Sequence, residues 1–147
     1  MTDILILHGP NLNLLGLRQP ELYGHATLKQ INTQLDEIAK RQGINLDIFQ
    51  SNSESCLIDK IHQAYTQAQC IIINPAGFTH TSVALLDALL AVRLPYIEVH
   101  LSLIHARDTF RKTSLFSEHA MGVITGFGAQ SYHLALLAAC QHLKKSN

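Results

Sequence analysis

Three apolar runs in this chain stop abruptly at polar groups: ILILHGPN (Ile4 to Asn11), IIINPAGFTH (Ile71 to His80) and YIEVHLS (Tyr96 to Ser102). Short runs rich in Ile, Leu and Val, each followed by a helical pattern, read as buried parallel strands. In an open sheet of such strands, ligands bind beyond the carboxyl ends. His8, Asn11, Asn74, His80, His100 and Ser102 are far apart in sequence, yet this pattern gathers them on one rim.

The runs recur within a regular alternation. Strands are predicted at Ile4 to Leu7, Ile44 to Phe49, Cys70 to Ile73, Tyr96 to Val99 and Met121 to Thr125. A long loop rich in Gly, Pro and Asn spans His8 to Ala26. The first helix starts at a capping box, Thr27 with Gln30, and stops at Gly43; Leu28, Ile31, Leu35 and Ile38 form its inward stripe. Ser51 with Glu54 repeats the capping pattern before a helix with Leu57, Ile58, Ile61, Ala64 and Tyr65 on one face. A third helix, Thr81 to Val92, is apolar on nearly every side. A short helical segment is expected at Ala106 to Lys112. The last helix, Gln130 to Leu143, is again apolar nearly all round, with Lys144 and Lys145 complementing its dipole.

Five strand–helix alternations predict an α/β chain, a three-layer sandwich with a five-stranded parallel sheet and helices on both faces. The flavodoxin-like strand order 2-1-3-4-5 is the expected one. All 147 residues form a single domain in this reading, with no linker or repeat, long enough to bury about two thirds of the unfolded surface. Only 15% of residues are charged and 47% are hydrophobic, against a usual quarter charged. With helices apolar all round, this thin polar surface predicts a homo-oligomer.

Eleven basic and eleven acidic residues cancel, and no basic stripe suggests nucleic acid. No segment has the length of a membrane span and no signal peptide is read at the start, so a cytoplasmic protein is expected. Cys56, Cys70 and Cys140 form no CxxC and read as buried free thiols. Nine histidines tempt a metal assignment, but no HxxxH, HxH or Cys/His cluster occurs. No metal or cofactor is expected, and His62, His119, His133 and His142 read as surface or packing residues.

Fold decides no chemistry here. A phosphate cradle would need a Walker turn or GxGxxG, and neither occurs, which disfavours a nucleotide- or flavin-binding module. A phospho-receiver needs acids where His8 and Asn74 stand. A hydrolase needs a G-x-S-x-G elbow, which is missing, although Ser82 and Asp87 with a histidine could be drawn as a triad. What remains is a rim of amides, histidines and arginines with a loop tyrosine. That set suits proton abstraction and return through an enolate. A phenol ordinarily ionises near pH 10, and lowering that by roughly 3 pH units takes about 4 kcal/mol from nearby cations. Arg18, in the same loop as Tyr23, and Arg111 are the candidate cations, for that purpose or for a substrate carboxylate.

Three long stretches, GPNLNLLGLRQPELYGHATL, NPAGFTHTSVALLDAL and PYIEVHLSLIHARDTFR, together resemble type II 3-dehydroquinate dehydratase over essentially the whole chain. The resemblance implies a flavodoxin-like fold, a dodecamer of trimers, and loss of water from 3-dehydroquinate to give 3-dehydroshikimate in the shikimate pathway, the route to aromatic amino acids. It implies an anti elimination through an enolate, without metal or Schiff base. By the same resemblance Tyr23 is the base and His100 the acid for the departing hydroxyl. Arg18 keeps Tyr23 ionised, and Asn11 holds an ordered water at the enolate oxygen. Asn74 and His80 bind ring hydroxyls, Leu101 and Ser102 bind the carboxylate, Arg111 binds substrate, and Asp87 reaches a neighbouring subunit's site.

The residues themselves add that Glu98 and His100 share one side of their strand, so that Glu98 can orient or charge the histidine. A charged Asp87 amid VALLDALL needs a partner where it is buried. His8 reads as structural, His105 and Arg107 as supporting or interface groups, and Gly77 as a backbone requirement. Leu103 and Asp108 depart from the usual LSNIHARE of the family, and Ser55 and Cys56 depart near the second strand.

Overall fold

In the computed structural model, which describes residues 1–17 and 19–146, five parallel strands form one sheet. They are β1 (Ile4–His8), β2 (Leu46–Gln50), β3 (Cys70–Asn74), β4 (Tyr96–His100) and β5 (Gly122–Thr125), in the order β2-β1-β3-β4-β5. Register pairs His8 with both Gln50 and Asn74, and His100 with Thr125, so the polar strand ends line up. β1, β3 and β4 are each buried along their whole length. Their polar last residues are part of the strand, one position beyond the ends read from hydrophobicity.

The helices are α1, a single turn (Pro20–Tyr23), then α2 (Leu28–Gln42), α3 (Glu54–Ala64), α4 (Val83–Val92) and α5 (Gln130–Ser146). α2 and α5 cover one sheet face, where Ile31, Leu35, Tyr132, Leu136 and Ala139 pack on Ile4, Ile6, Ile72 and Val99. α3 and α4 cover the other, with Leu57, Ile61, Leu85 and Leu89 on Leu5, Leu7, Ile71 and Ile73. Odd and even positions of β1 therefore feed different cores, as the period of two requires.

The caps explain the boundaries. Thr27 and Gln30 form the reciprocal capping box of α2, with Thr27 N–H donating to Gln30 Oε1 (2.9 Å) and Gln30 N–H to Thr27 Oγ1 (3.2 Å). At the other end Gly43 is left-handed, φ 69°, and Ile44 N–H donates to Ala39 O while Gly43 N–H donates to Lys40 O. That Schellman closure uses up Ile44, so β2 starts at Leu46 rather than at Ile44.

The expected Ser51–Glu54 cap is corrected. Ser53 is the N-cap of α3, accepting from Cys56 N–H at 3.3 Å, while Ser51 Oγ accepts from Ser53 N–H at 2.9 Å. Glu54 instead accepts from the hydroxyl of Ser82, itself the N-cap of α4, and so ties the starts of the two helices together. The segment expected as a helix over 106–112 is two separate 3-10 turns, Ile104–Ala106 and Thr109–Arg111. Cys70 and Cys140 are buried free thiols as expected, but Cys56 is exposed because it lies on the solvent side of α3. Burial pushes the Cys70 thiol up to about 12. No helix is long and apolar enough to cross a membrane among the described residues.

Candidate active site

A cleft of about 140 Å³ lies beyond the carboxyl ends of β1, β3 and β4. Asn11, Tyr23, Asn74, His80, His100, Leu101, Ser102 and Arg111 all line it, so eight residues singled out in the sequence meet in one place. Arg18 lies outside the described residues. Asp87 is exposed on α4 and does not line this chain's own cleft, so burial imposes no cost on it within one subunit.

The rim residues are held from below. His100, the last residue of β4, donates Nε2–H to Glu98 Oε2 at 2.5 Å, the two side chains sharing one strand face. Ser114 donates to the same oxygen at 2.8 Å and Ser117 to Glu98 Oε1 at 2.6 Å. Burial alone would raise the Glu98 carboxyl, but the hydrogen bonds from His100, Ser117 and Ser114 outweigh it and hold the group below the ordinary value. An ionised Glu98 on Nε2 leaves Nδ1 as the ring nitrogen that can serve a ligand.

Asn74, at the end of β3, is buried, and its Oδ1 accepts from Ala76 N–H at 3.1 Å. Ala76 is left-handed, φ 52°, so the backbone requirement anticipated for Gly77 falls one residue earlier. The side-chain bond from Asn74 compensates part of that strain. His80 donates Nδ1–H to Thr113 O at 2.7 Å, which leaves Nε2 for the cleft, and its ring meets Phe110 edge-on. Asn11 is also left-handed, φ 69°, and its N–H donates to Asn52 Oδ1 at 2.9 Å. Ser102 presents its backbone beside Leu101, and Ser102 O accepts from Thr125 Oγ1 at 2.8 Å.

The loops supply the other wall. Tyr23 ends α1, half-buried, and the Arg107 guanidinium lies 5.5 Å from the centre of its ring. Arg107, read from the sequence as a supporting or interface group, also lines the cleft, placed there just after the 3-10 turn at Ile104–Ala106. Arg111 lies beside Asp108, Nε to Oδ2 3.6 Å. His8 does not line the cleft. It is fully buried between Asn32 and Tyr132, and burial lowers its pKa to about 4 against a smaller opposing effect of Asn32. Sequence patterns gave no sign of Ser114, Ser117 or Tyr132, because their partners are set by tertiary packing alone. Arg107 could have been found by its place, five residues after the rim residue Ser102.

No three His, Cys, Asp or Glu side chains are grouped as metal ligands among the described residues. The donor set is instead a carboxylate-backed imidazole facing a cation-stacked phenol across a cleft sized for one small molecule. A flavodoxin-like sheet with a polar cleft at its carboxyl edge places this chain among the α/β enzymes that work from that edge.

The comparisons with known proteins make that class specific. The family model for class II dehydroquinase matches residues 2–140, and the chain belongs to that family. It is 61% identical over 140 residues to the 3-dehydroquinate dehydratase of Hahella chejuensis, covering 95% of each chain. It is 57% identical to the 3-dehydroquinate dehydratase of Acinetobacter baumannii, covering 99% of this chain and 97% of the relative. The crystal structure of type II dehydroquinase from Propionibacterium acnes superposes with a TM-score of 0.91 at 39% identity, covering 96% of this chain and 97% of that one.

Proposed function

We propose that this enzyme removes water from 3-dehydroquinate to give 3-dehydroshikimate, by an anti elimination through an enolate. Tyr23, as phenolate, takes the proton beside the ketone. The electron pair left on carbon is delocalised onto the ketone oxygen, where a water held by Asn11 donates a hydrogen bond. His100, charged and backed by Glu98, then gives its Nδ1 proton to the departing hydroxyl, which leaves as water while the enolate collapses to the conjugated enone. One proton has passed to Tyr23 and one has left His100, so the cycle closes when the tyrosine returns its proton to the histidine or to solvent.

The observation that carries this reading is the meeting, in one cleft, of a tyrosine under a guanidinium and a histidine on a buried carboxylate. A guanidinium over an aromatic ring is worth about 1 kcal/mol at a half-exposed site, and it favours the phenolate in the charged step. Arg107 therefore shares the role assigned to Arg18. Asn74 and His80 bind ring hydroxyls, while the backbone amides of Leu101 and Ser102, the Ser102 hydroxyl and Arg111 bind the carboxylate.

Val83 and Leu90 on α4 and Phe110 and Phe127 on the loops are exposed in one subunit. This supports a homo-oligomer, read as trimers forming a dodecamer with Asp87 completing a neighbour's site; the chain is read as a single catalytic domain acting in the cytoplasm. Light scattering is expected to give twelve subunits.

The test of the reaction is direct. Adding 3-dehydroquinate to the purified protein is expected to raise the absorbance of the conjugated enone. No change in absorbance at saturating substrate would refute the reading.

A further inference from the structure

Alternate residues of β4 share one face, and the first two of them bind the same short stretch of chain. Tyr96 donates its hydroxyl proton to Phe116 O at 2.5 Å, and Glu98 accepts from Ser114 and Ser117. The third, His100, ends the strand at the cleft. Phe116 is fully buried among residues of α3 and α4, which anchors the stretch near its middle. Its other end serves the second histidine of the site. Thr113 O accepts from His80 Nδ1–H, and Leu115 N–H donates to Thr79 O at 3.0 Å. Residues 113–117 therefore reach both histidines, His80 through a backbone carbonyl and His100 through Glu98.

The directions of the two serine hydroxyls follow from their partners. Phe116 N–H and Ser117 N–H can only donate, and Ser114 Oγ accepts from them at 3.0 and 3.3 Å. Its single proton is left for Glu98 Oε2, 2.8 Å away. Ser117 Oγ lies 2.6 Å from Glu98 Oε1, and an ionised carboxylate only accepts. Donors therefore sit on both carboxylate oxygens, Ser114 and His100 on Oε2 and Ser117 on Oε1. Glu98 is fully buried, so turning its carboxylate would break bonds that no water replaces.

We infer that Ser114 and Ser117 are positioning residues for the reaction: their hydroxyls clamp the Glu98 carboxylate by both oxygens, so that His100 Nε2–H is held against it and Nδ1 is presented to the ligand. The inference rests on the proposed role of His100 as the acid. The terminal torsion of a glutamate is broad, and a carboxylate with His100 as its one partner would turn and take the imidazole with it. The clamp removes that motion before substrate arrives, as supporting bonds do for a preorganised site. Neither serine lines the cleft, so an effect on turnover reaches the substrate through Glu98.

Steady-state kinetics with 3-dehydroquinate read that effect. Ser117→Ala is expected to lower kcat about tenfold, the scale of one hydrogen bond to a charged group, with KM changed by less than about twofold. A stretch that had merely loosened would release Thr113 from His80 and raise KM instead. In a Glu98→Gln background the same change is expected to lower kcat by less than about twofold, because the group it acts through is already gone. An unchanged kcat, equal losses in both backgrounds, or a KM raised as much as kcat falls would overturn the inference and leave the role of His100 standing.

A second measurement needs no substrate. In 15N-labelled enzyme the proton on His100 Nε2 is identified by its loss in His100→Gln. It is expected to exchange with solvent about tenfold faster in the double variant Ser114→Ala, Ser117→Ala, since exchange requires the hydrogen bond to open. Exchange as slow as in the native protein would overturn the inference whatever the enzyme does. If the native protein leaves 3-dehydroquinate unchanged, the reaction reading fails and the exchange rate still judges the clamp. If the double variant does not fold, Ser117→Ala alone supplies both readouts.

Discussion

The two walls of the cleft are built differently. On the sheet side, Glu98, His100 and Asn74 are strand residues, at most 6% exposed; His100 is hydrogen-bonded to Glu98 on its own strand, Glu98 to Ser114 and Ser117, and Asn74 to Ala76 N–H. On the loop side, Tyr23, Arg107 and Arg111 are half-exposed, on or next to a single helical turn and two 3-10 turns that together bury only Ile104. Reorienting a sheet residue would expose unpaired polar groups, whereas a loop residue can move at little cost. The proposed acid is thus held on the rigid wall and the proposed base on the wall that can close over substrate and exclude water. Substitutions on the sheet side should alter stability and activity together; those on the loop side should alter activity alone.

The largest separation is expected at Tyr23. Tyr23→Phe should lower kcat by about 10⁴-fold, the upper range for a lost general base, with the melting temperature unchanged. A variant that melts early would break the distinction between the walls.

On the sheet side, Glu98→Gln should lower both quantities. The neutral amide cannot accept from His100, Ser114 and Ser117 together without turning its own N–H groups toward a donor. The expected cost is about 3 kcal/mol in stability and roughly a hundredfold in kcat, because the His100 ring loses its charged hydrogen-bond partner. Denaturant unfolding with kinetics on the same preparation checks both.

Beneath the sheet wall, His8 adds a pH dependence. It is neutral when folded, its pKa lowered to about 4, whereas in the unfolded chain it has the ordinary histidine value near 6.5. Between those values the unfolded chain binds the extra proton. Stability is therefore unaffected by His8 above pH 6.5 and falls as pH drops toward 4, by about 3 kcal/mol over the window. Glu98 acts in a lower range. Its carboxyl is depressed on folding, so it stabilises above the ordinary carboxylate value and that contribution is lost as pH falls through the folded one. Urea titrations at pH 7 and pH 5 should differ in the native chain and differ less in His8→Gln.

How much of this was readable beforehand follows the same division. Strand positions follow from a period of two and from β-branched runs, and helix ends from Thr27, Gly43 and the apolar stripes, all short-range signals. Hence the strand order and the eight cleft residues were legible. The Ser51 cap was misplaced because Ser51, Ser53 and Ser55 all offer a hydroxyl, and only the path out of β2 decides among them. Ser114 and Ser117 owe their places to where non-periodic segments come to rest, and Tyr132 owes its place beside His8 to how α5 packs on the sheet. No local pattern encodes that.

Arg107 offers a smaller effect on the loop wall. Arg107→Ala should lower kcat about fivefold, matching the loss of about 1 kcal/mol of cation–π interaction over the Tyr23 ring. Stability should stay within about 0.5 kcal/mol, as for other surface changes. A fall in stability would show the residue to be a structural brace for α1.

The smallest effect is expected far from the cleft, and it isolates what strain does on each side. Asn11 and Ala76 are left-handed at the site, φ 69° and 52°, and each is tied down by a side-chain hydrogen bond, from Asn11 N–H to Asn52 and from Ala76 N–H to Asn74. Arg93 is left-handed too, φ 57°, as the exposed C-cap of α4 at the opposite end of the sheet. A non-glycine residue in that region costs about 1–2 kcal/mol, and glycine returns that less its own entropy cost of about 0.5–1 kcal/mol. Arg93→Gly should then stabilise by about 0.5–1 kcal/mol with kcat and KM unchanged. The same gain with reduced activity would mean that strain at the far end of α4 is coupled to the site through the helix, whose start is capped by Ser82 two residues after His80.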